Sequence, residues 1–300
     1  MRIAPQFLFR LFVWGAFVSY SSSANGVRVF ALALSSPYEY APSRVDLEDV
    51  TLSYPETLMD KLFSSVPKRE NAVDHISTSF GRDNMPAILV GRSASGKSTL
   101  LRLISGEETP TSGTVAIEGL AKPIVIDRKP PFDDSKSVLD GIVAASKDQQ
   151  RNNESVEQVA LHLSTTLGMT VDQLQSKPSN LSPSGQFLFG LACGCLCSVM
   201  PALPATVGSQ TAPDDTKCSL PGPILLLDEL TDFEHPDVAA RCCPGIDSLI
   251  QKTGAVVIIA THKPHHWEPL EMRRTVALSS GRMLAEEVLE RGKSTSMLYK

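Results

Sequence analysis

The chain has 300 residues, a formal net charge of −5, 42% hydrophobic and 20% charged residues. This is a globular composition with room for one large core or two modest domains, and the acidic balance gives no sign of nucleic-acid affinity. No segment reaches the roughly 18 unbroken apolar residues of a membrane span, and Phe187–Met200 reads as a buried helix instead.

Residues 1–40 differ from the rest. Arg2, Arg10 and Arg28 stand among many serines, and no Asp or Glu precedes Glu39. Leu11–Val18 has the apolar character of a signal peptide, with Ser22-Ser23-Ala24 as a candidate cleavage site. The same composition suits an organelle transit peptide. Val45 to Tyr54 alternates loosely and predicts a strand closed by Pro55, after which a polar stretch leads to the apolar run Ala87–Val90.

Immediately after that run stands Gly91-Arg92-Ser93-Ala94-Ser95-Gly96-Lys97-Ser98-Thr99, followed by Leu100–Ile104. Strand, glycine-rich loop and helix are the context a phosphate-binding loop requires. Backbone N–H groups at the helix start attract the phosphates. Lys97 is the candidate for the β- and γ-phosphates, and the Ser98 hydroxyl for Mg²⁺. An ATP-binding protein is the expectation, and ATP use weighs against export. An organelle is therefore favoured over secretion, a plastid reached through the secretory route being one such compartment; a secretory-pathway membrane is the alternative, as is a membrane-anchoring leader.

Thr114–Ile117 predicts a strand ending at Glu118-Gly119, and Val138–Leu174 turns helical, with Val156, Val159, Ala160 and Leu163 on one apolar face. Residues 201–223 hold five prolines and predict a disordered surface loop. Ile224–Leu227 and Val256–Ile259 are continuous apolar runs of the kind a parallel sheet covered on both faces needs. Val276–Leu278, Ser280-Gly281 and Met283-Leu284 predict a closing hairpin. The six cysteines, Cys193, Cys195, Cys197, Cys218, Cys242 and Cys243, show no zinc-ligand spacing and read as small apolar residues.

Asp228-Glu229 follows the Ile224 run, and Thr261-His262 follows the Val256 run. Asp228 is placed to hold Mg²⁺ through water, and Glu229 to polarise the attacking water. His262 is placed to reach the γ-phosphate; alone, a histidine there would more often be structural.

With these segments the chain, over about residues 44–290, resembles the ATP-binding cassette (ABC) ATPase family. The resemblance rests on Gly91–Thr99, Thr109–Gly113, Leu181-Ser182-Pro183-Ser184-Gly185-Gln186, Asp228-Glu229 and His262. It implies an α/β P-loop NTPase fold, a RecA-like core with an antiparallel β-subdomain and an α-helical subdomain inserted at 138–195. It also implies a second ABC cassette as partner, Ser182 reaching the partner's ATP in trans, a separate transmembrane permease, and Tyr54 stacking on adenine. Tyr54 also reads as a tyrosine closing a strand. The family's Leu-Ser-Gly-Gly-Gln signature is altered by Pro183 and Ser184. Asp127 stands at the position of the Q-loop glutamine, and Glu234-His235 replaces the family's Leu-Asp. The second cassette makes a homo- or heterodimer; because these departures fall mostly on elements serving the partner's site, they support a heterodimer with one competent and one degenerate ATP site. A weakly or non-catalytic ATP-binding switch or assembly subunit of a heterodimeric complex is the other reading.

Overall fold

The computed structural model describes residues 16–23, 26–33, 38–54, 71–127, 133–146, 153–203, 218–229 and 235–294. In chain order, β1 (Ala16–Ser23) and β2 (Gly26–Ala33) pair as an antiparallel hairpin. Then come β3 (Tyr38–Ala41), β4 (Arg44–Leu52), β5 (Val73–Phe80) and β6 (Ala87–Val90). Helix α1 (Lys97–Ser105), β7 (Ser112–Glu118) and β8 (Pro123–Ile126) follow. Four helices come next: α2 (Val138–Ala145), α3 (Asn153–Thr166), α4 (Val171–Gln175) and α5 (Pro183–Val199). The chain closes with β9 (Cys218–Pro221), β10 (Ile224–Asp228), α6 (Pro236–Thr253), β11 (Val256–Thr261), β12 (Met272–Ser279) and β13 (Arg282–Glu290).

The central sheet has the order β13-β12-β6-β11-β10-β8, parallel except for the final antiparallel hairpin. Because strand side chains alternate between faces, each apolar run feeds two separate cores. Ile88, Val90, Leu225, Leu227, Val257 and Ile259 join the apolar faces of α2, α3, α5 and α6. Ala87, Leu89, Ile224, Leu226, Val256 and Ile258 instead meet α1 and the antiparallel sheet β5-β4-β7. Ala87–Val90, Ile224–Leu227 and Val256–Ala260 are therefore continuous apolar runs, with polar residues only at the carboxyl ends of β10 and β11.

Local chemistry sets the helix starts. Ser137 accepts from the Asp140 N–H at 3.1 Å to cap α2, and Thr170 and Gln173 form a reciprocal capping box on α4. In α3, Val156, Val159, Ala160 and Leu163 are all buried, the face that the periodicity predicts. Helix α5 is buried through most of its length, including Cys193 and Cys195, whose thiols burial pushes well above the ordinary range. Burial likewise raises Cys242 and Cys243 on α6 to about 12, in keeping with inert core residues.

Three expectations change. The stretch before Ala87, read as merely polar, contains β5, which pairs with β4 while Asp49 and His75 take left-handed backbone angles. Within 201–223, residues 218–221 form β9, parallel to β3, and so are a strand and not loop. The strand read as Val45–Tyr54 stops at Leu52. Of the leader features, Arg2, Arg10, Leu11–Gly15 and Ala24 lie outside the described residues, as do Pro55 and Glu234.

Helix α6 crosses α3 so closely at Gly245 that a Cβ there would fall inside contact distance of the Leu167 carbonyl oxygen. Backbone cannot yield as a flexible side chain can. Gly245→Ala is expected to destabilise the fold by about 2–3 kcal/mol, read from the urea midpoint, and an unchanged midpoint would contradict this packing.

Candidate functional site

The loop Gly91–Gly96 leaves the carboxyl end of β6 and turns into α1 (φ 101° at Gly96). A Cβ at Gly96 would lie 2.5 Å from the Ala72 carbonyl oxygen, so glycine is required on both conformational and steric grounds. Ala94 also takes a left-handed angle of 61°. The loop is braced from outside, Gly281 N–H donating to the Ser95 carbonyl at 3.1 Å and Asp74 N–H to the Gly281 carbonyl at 2.9 Å. Arg92, Ser93 and Ala94 are exposed at its rim, while Ser95 is buried with its Oγ unpartnered among the described residues. Ser98 and Thr99 are half-buried in the first turn of α1.

Lys97 is buried, with 3% of its side chain exposed. Its Nζ donates to the carbonyls of Gly91 (3.0 Å) and Arg92 (3.3 Å) and lies 3.4 Å from Glu229 Oε1. The same Oε1 is 2.7 Å from His262 Nε2. Glu229 holds a left-handed backbone angle of 37°, fixed by its N–H donating to the Ala260 carbonyl at 3.1 Å. Such an angle in a residue with a long side chain costs on the order of 1 kcal/mol and is found most often at functional sites. Next to it, Asp228 Oδ1 accepts from Ser98 Oγ at 2.9 Å. Burial raises the Asp228 carboxyl above the usual range, opposed by the Ser98 hydrogen bond and reinforced by the neighbouring Glu229 charge. The motif residues after β6, β10 and β11 thus converge because those strands are parallel neighbours whose carboxyl ends open on one edge.

Two other candidates lie further out. Tyr54 is 53% exposed, and its hydroxyl donates to both carboxylate oxygens of Glu108, at 2.8 and 2.9 Å. Ser182 caps α5: its Oγ accepts from the Gly185 N–H at 3.2 Å and lies 3.0 Å from Ser184 Oγ. Among the described residues, no hydrogen bond or ion pair joins Ser182 to residues 91–99. Pro183, at the first position of α5, has no N–H to offer an anion. Sequence reasoning missed Glu108, 54 residues from its tyrosine partner, and gave no sign that Glu229 would sit against Lys97.

Phosphate loop, paired carboxylates and histidine on one edge of a parallel sheet define a P-loop nucleotide-binding site. The family model for ABC transporters matches residues 73–198. The cell division ATP-binding protein FtsE of Mycobacterium tuberculosis is 25% identical over 72% of this chain and 94% of its own length. The thiamine import ATP-binding protein ThiQ of Brucella suis is 28% identical over 86% of this chain and 92% of its own. Among solved structures, the dimeric bacterial ABC transporter cassette MJ0796 superposes with a TM-score of 0.55 at 18% identity, covering 81% of this chain and 97% of that one. The cassette cbiO1 of Clostridium perfringens gives 0.56 at 16% identity, over 81% and 87%. Over these spans the chain is similar to ABC transporter ATP-binding proteins, and it shares their cassette fold.

The raised Asp228 carboxyl has a consequence for stability. The folded state binds this proton more tightly than the unfolded chain does. Its contribution is therefore full below the ordinary aspartate value of 3.8 and is lost as pH rises through the folded value. Asp228→Asn is expected to melt ~2–4 °C above the parent at neutral pH without nucleotide, the difference closing toward pH 3, as scanning calorimetry would show. A variant melting below the parent at neutral pH would contradict this.

Proposed function

We infer that this cassette binds and hydrolyses ATP and thereby energises transport through a separate membrane permease. The observation that carries the reading is the convergence of Lys97, Glu229 and His262 within 3.4 Å contacts, beside the Ser98–Asp228 pair. An arriving γ-phosphate takes the place of Glu229 beside Lys97, whose ammonium neutralises phosphate charge. Released from Lys97, Glu229 accepts hydrogen bonds from the attacking water and aligns it with phosphorus. His262 donates from Nε2 to a γ-phosphate oxygen, its ring held at the end of β11.

Ser98 and Asp228 offer an oxygen-only pair that fits Mg²⁺, which takes one or two protein oxygens alongside substrate phosphates and water. The described residues hold no cluster of three or more His, Cys, Asp or Glu suited to a metal, so the phosphates would complete that shell. When bound, the ion neutralises phosphate charge.

Within this reading, the partner is a second cassette of different sequence. The start of α5 supports that assignment: Pro183 lacks a donor, and the Gly185 N–H is already bound by Ser182. Two of the amides that would meet a phosphate in trans are thus lost to it. This chain would supply Lys97, Asp228, Glu229 and His262 to the competent ATP, and the partner a sound signature. The same observation favours the second reading, a weakly catalytic ATP-binding switch. We also assign residues 1–40 to targeting, with an organelle membrane as destination; a fluorescent fusion of that segment remaining in the cytosol would contradict it.

Steady-state phosphate release from the full chain, alone and with a second cassette carrying Leu-Ser-Gly-Gly-Gln, tests the reading. Turnover is expected to rise on mixing and to fall by about 10²-fold or more in Glu229→Gln with ATP still bound. Full turnover by the chain alone would sink the heterodimer. Turnover persisting in Glu229→Gln would sink the assigned role of Glu229.

A further inference from the structure

We propose that Glu108 is a positioning residue for the nucleotide base, acting by fixing the ring of Tyr54; this rests on the ATP reading above. The tyrosine follows the end of β4, where Ala72 N–H donates to the Leu52 carbonyl at 2.8 Å. Ala72 in turn abuts Gly96 of the phosphate loop, which ties the end of the strand before the tyrosine to that loop. Among the described residues the tyrosine stacks on no other ring, which leaves it available to a flat ligand.

An exposed aromatic side chain has rotational freedom to lose when a base stacks on it. Here most of that loss is met in advance. Both oxygens of Glu108 accept from the single Tyr54 hydroxyl, at 2.8 and 2.9 Å. Glu108 is itself held: its backbone N–H donates to the Arg102 carbonyl at 3.2 Å, and the Arg102 guanidinium lies 3.7 Å from its carboxylate. Arg102 belongs to α1, the helix that the phosphate loop opens. One short network therefore references the base platform to the same helix that holds the phosphates. Stacking accepts any purine, so the device sets affinity and leaves the choice between purines to other contacts.

Calorimetric titration of ATP and of inorganic tripolyphosphate into the full chain tests this with Glu108→Ala, Tyr54→Phe, the double variant and Glu108→Gln. Each of the first two is expected to weaken ATP binding roughly three- to tenfold, the loss appearing in KM and not in kcat. The double variant should be no weaker than either single one, since both remove the same bond. Glu108→Gln, which keeps an acceptor oxygen, should recover most of the affinity, and tripolyphosphate binding should stay at the parent level throughout. Unchanged ATP affinity overturns the proposal. So does an equal loss for tripolyphosphate, which would mean that Glu108 acts on α1 alone. A parent chain that binds neither ligand contradicts the nucleotide reading and removes the proposal with it.

Discussion

A buried ammonium organises this molecule's functional edge. Lys97 is almost fully removed from water, and an isolated charge in that position is prohibitively expensive. Two loop carbonyls and the Glu229 carboxylate supply what water would have supplied. Meeting that demand requires the phosphate loop to curl back on its own lysine. It also requires β10 to end where its following residue can turn toward β6. The left-handed angle at Glu229 and its bond to the Ala260 carbonyl make that turn.

The resulting state is self-satisfied. Glu229 lies between Lys97 and His262, in the position that the chemistry assigns to a phosphate, while Ser98 and Asp228 satisfy each other. Nucleotide binding on this account is an exchange of partners and not the filling of a vacancy. Under the proposed function, such an exchange would make binding and the readiness to hydrolyse parts of one event, because the carboxylate displaced from the lysine is the group proposed to align water.

Much of this was legible in the sequence because it is local. A phosphate loop, a carboxylate pair after an apolar run and a histidine after the next run are each decided within about ten residues, and parallel pairing brings them together. The continuous apolar runs marked β6, β10 and β11 because strands buried on both faces need no alternation. What stayed hidden depends on partners far away in the chain. Strand β5 is half polar, and His75 breaks its alternation with a left-handed angle. Strand β9 is bounded by prolines and exists through pairing with β3, about 180 residues earlier. Helix α6 carries Pro244 in its interior, which argues against a helix on local grounds, yet its apolar stripe packs into the main core. The Tyr54–Glu108 and Lys97–Glu229 pairs are side-chain encounters that no spacing rule announces.

The exchange of partners can be measured without following hydrolysis. Calorimetric titration of ATP into the parent and into Glu229→Gln compares binding with and without the charge that competes for Lys97. The account predicts tighter binding by the variant, with the difference shrinking as salt is raised and the competing charges are screened. Equal or weaker binding by Glu229→Gln at low salt would show that Glu229 does not hold the phosphate position, and the account would be wrong at its centre.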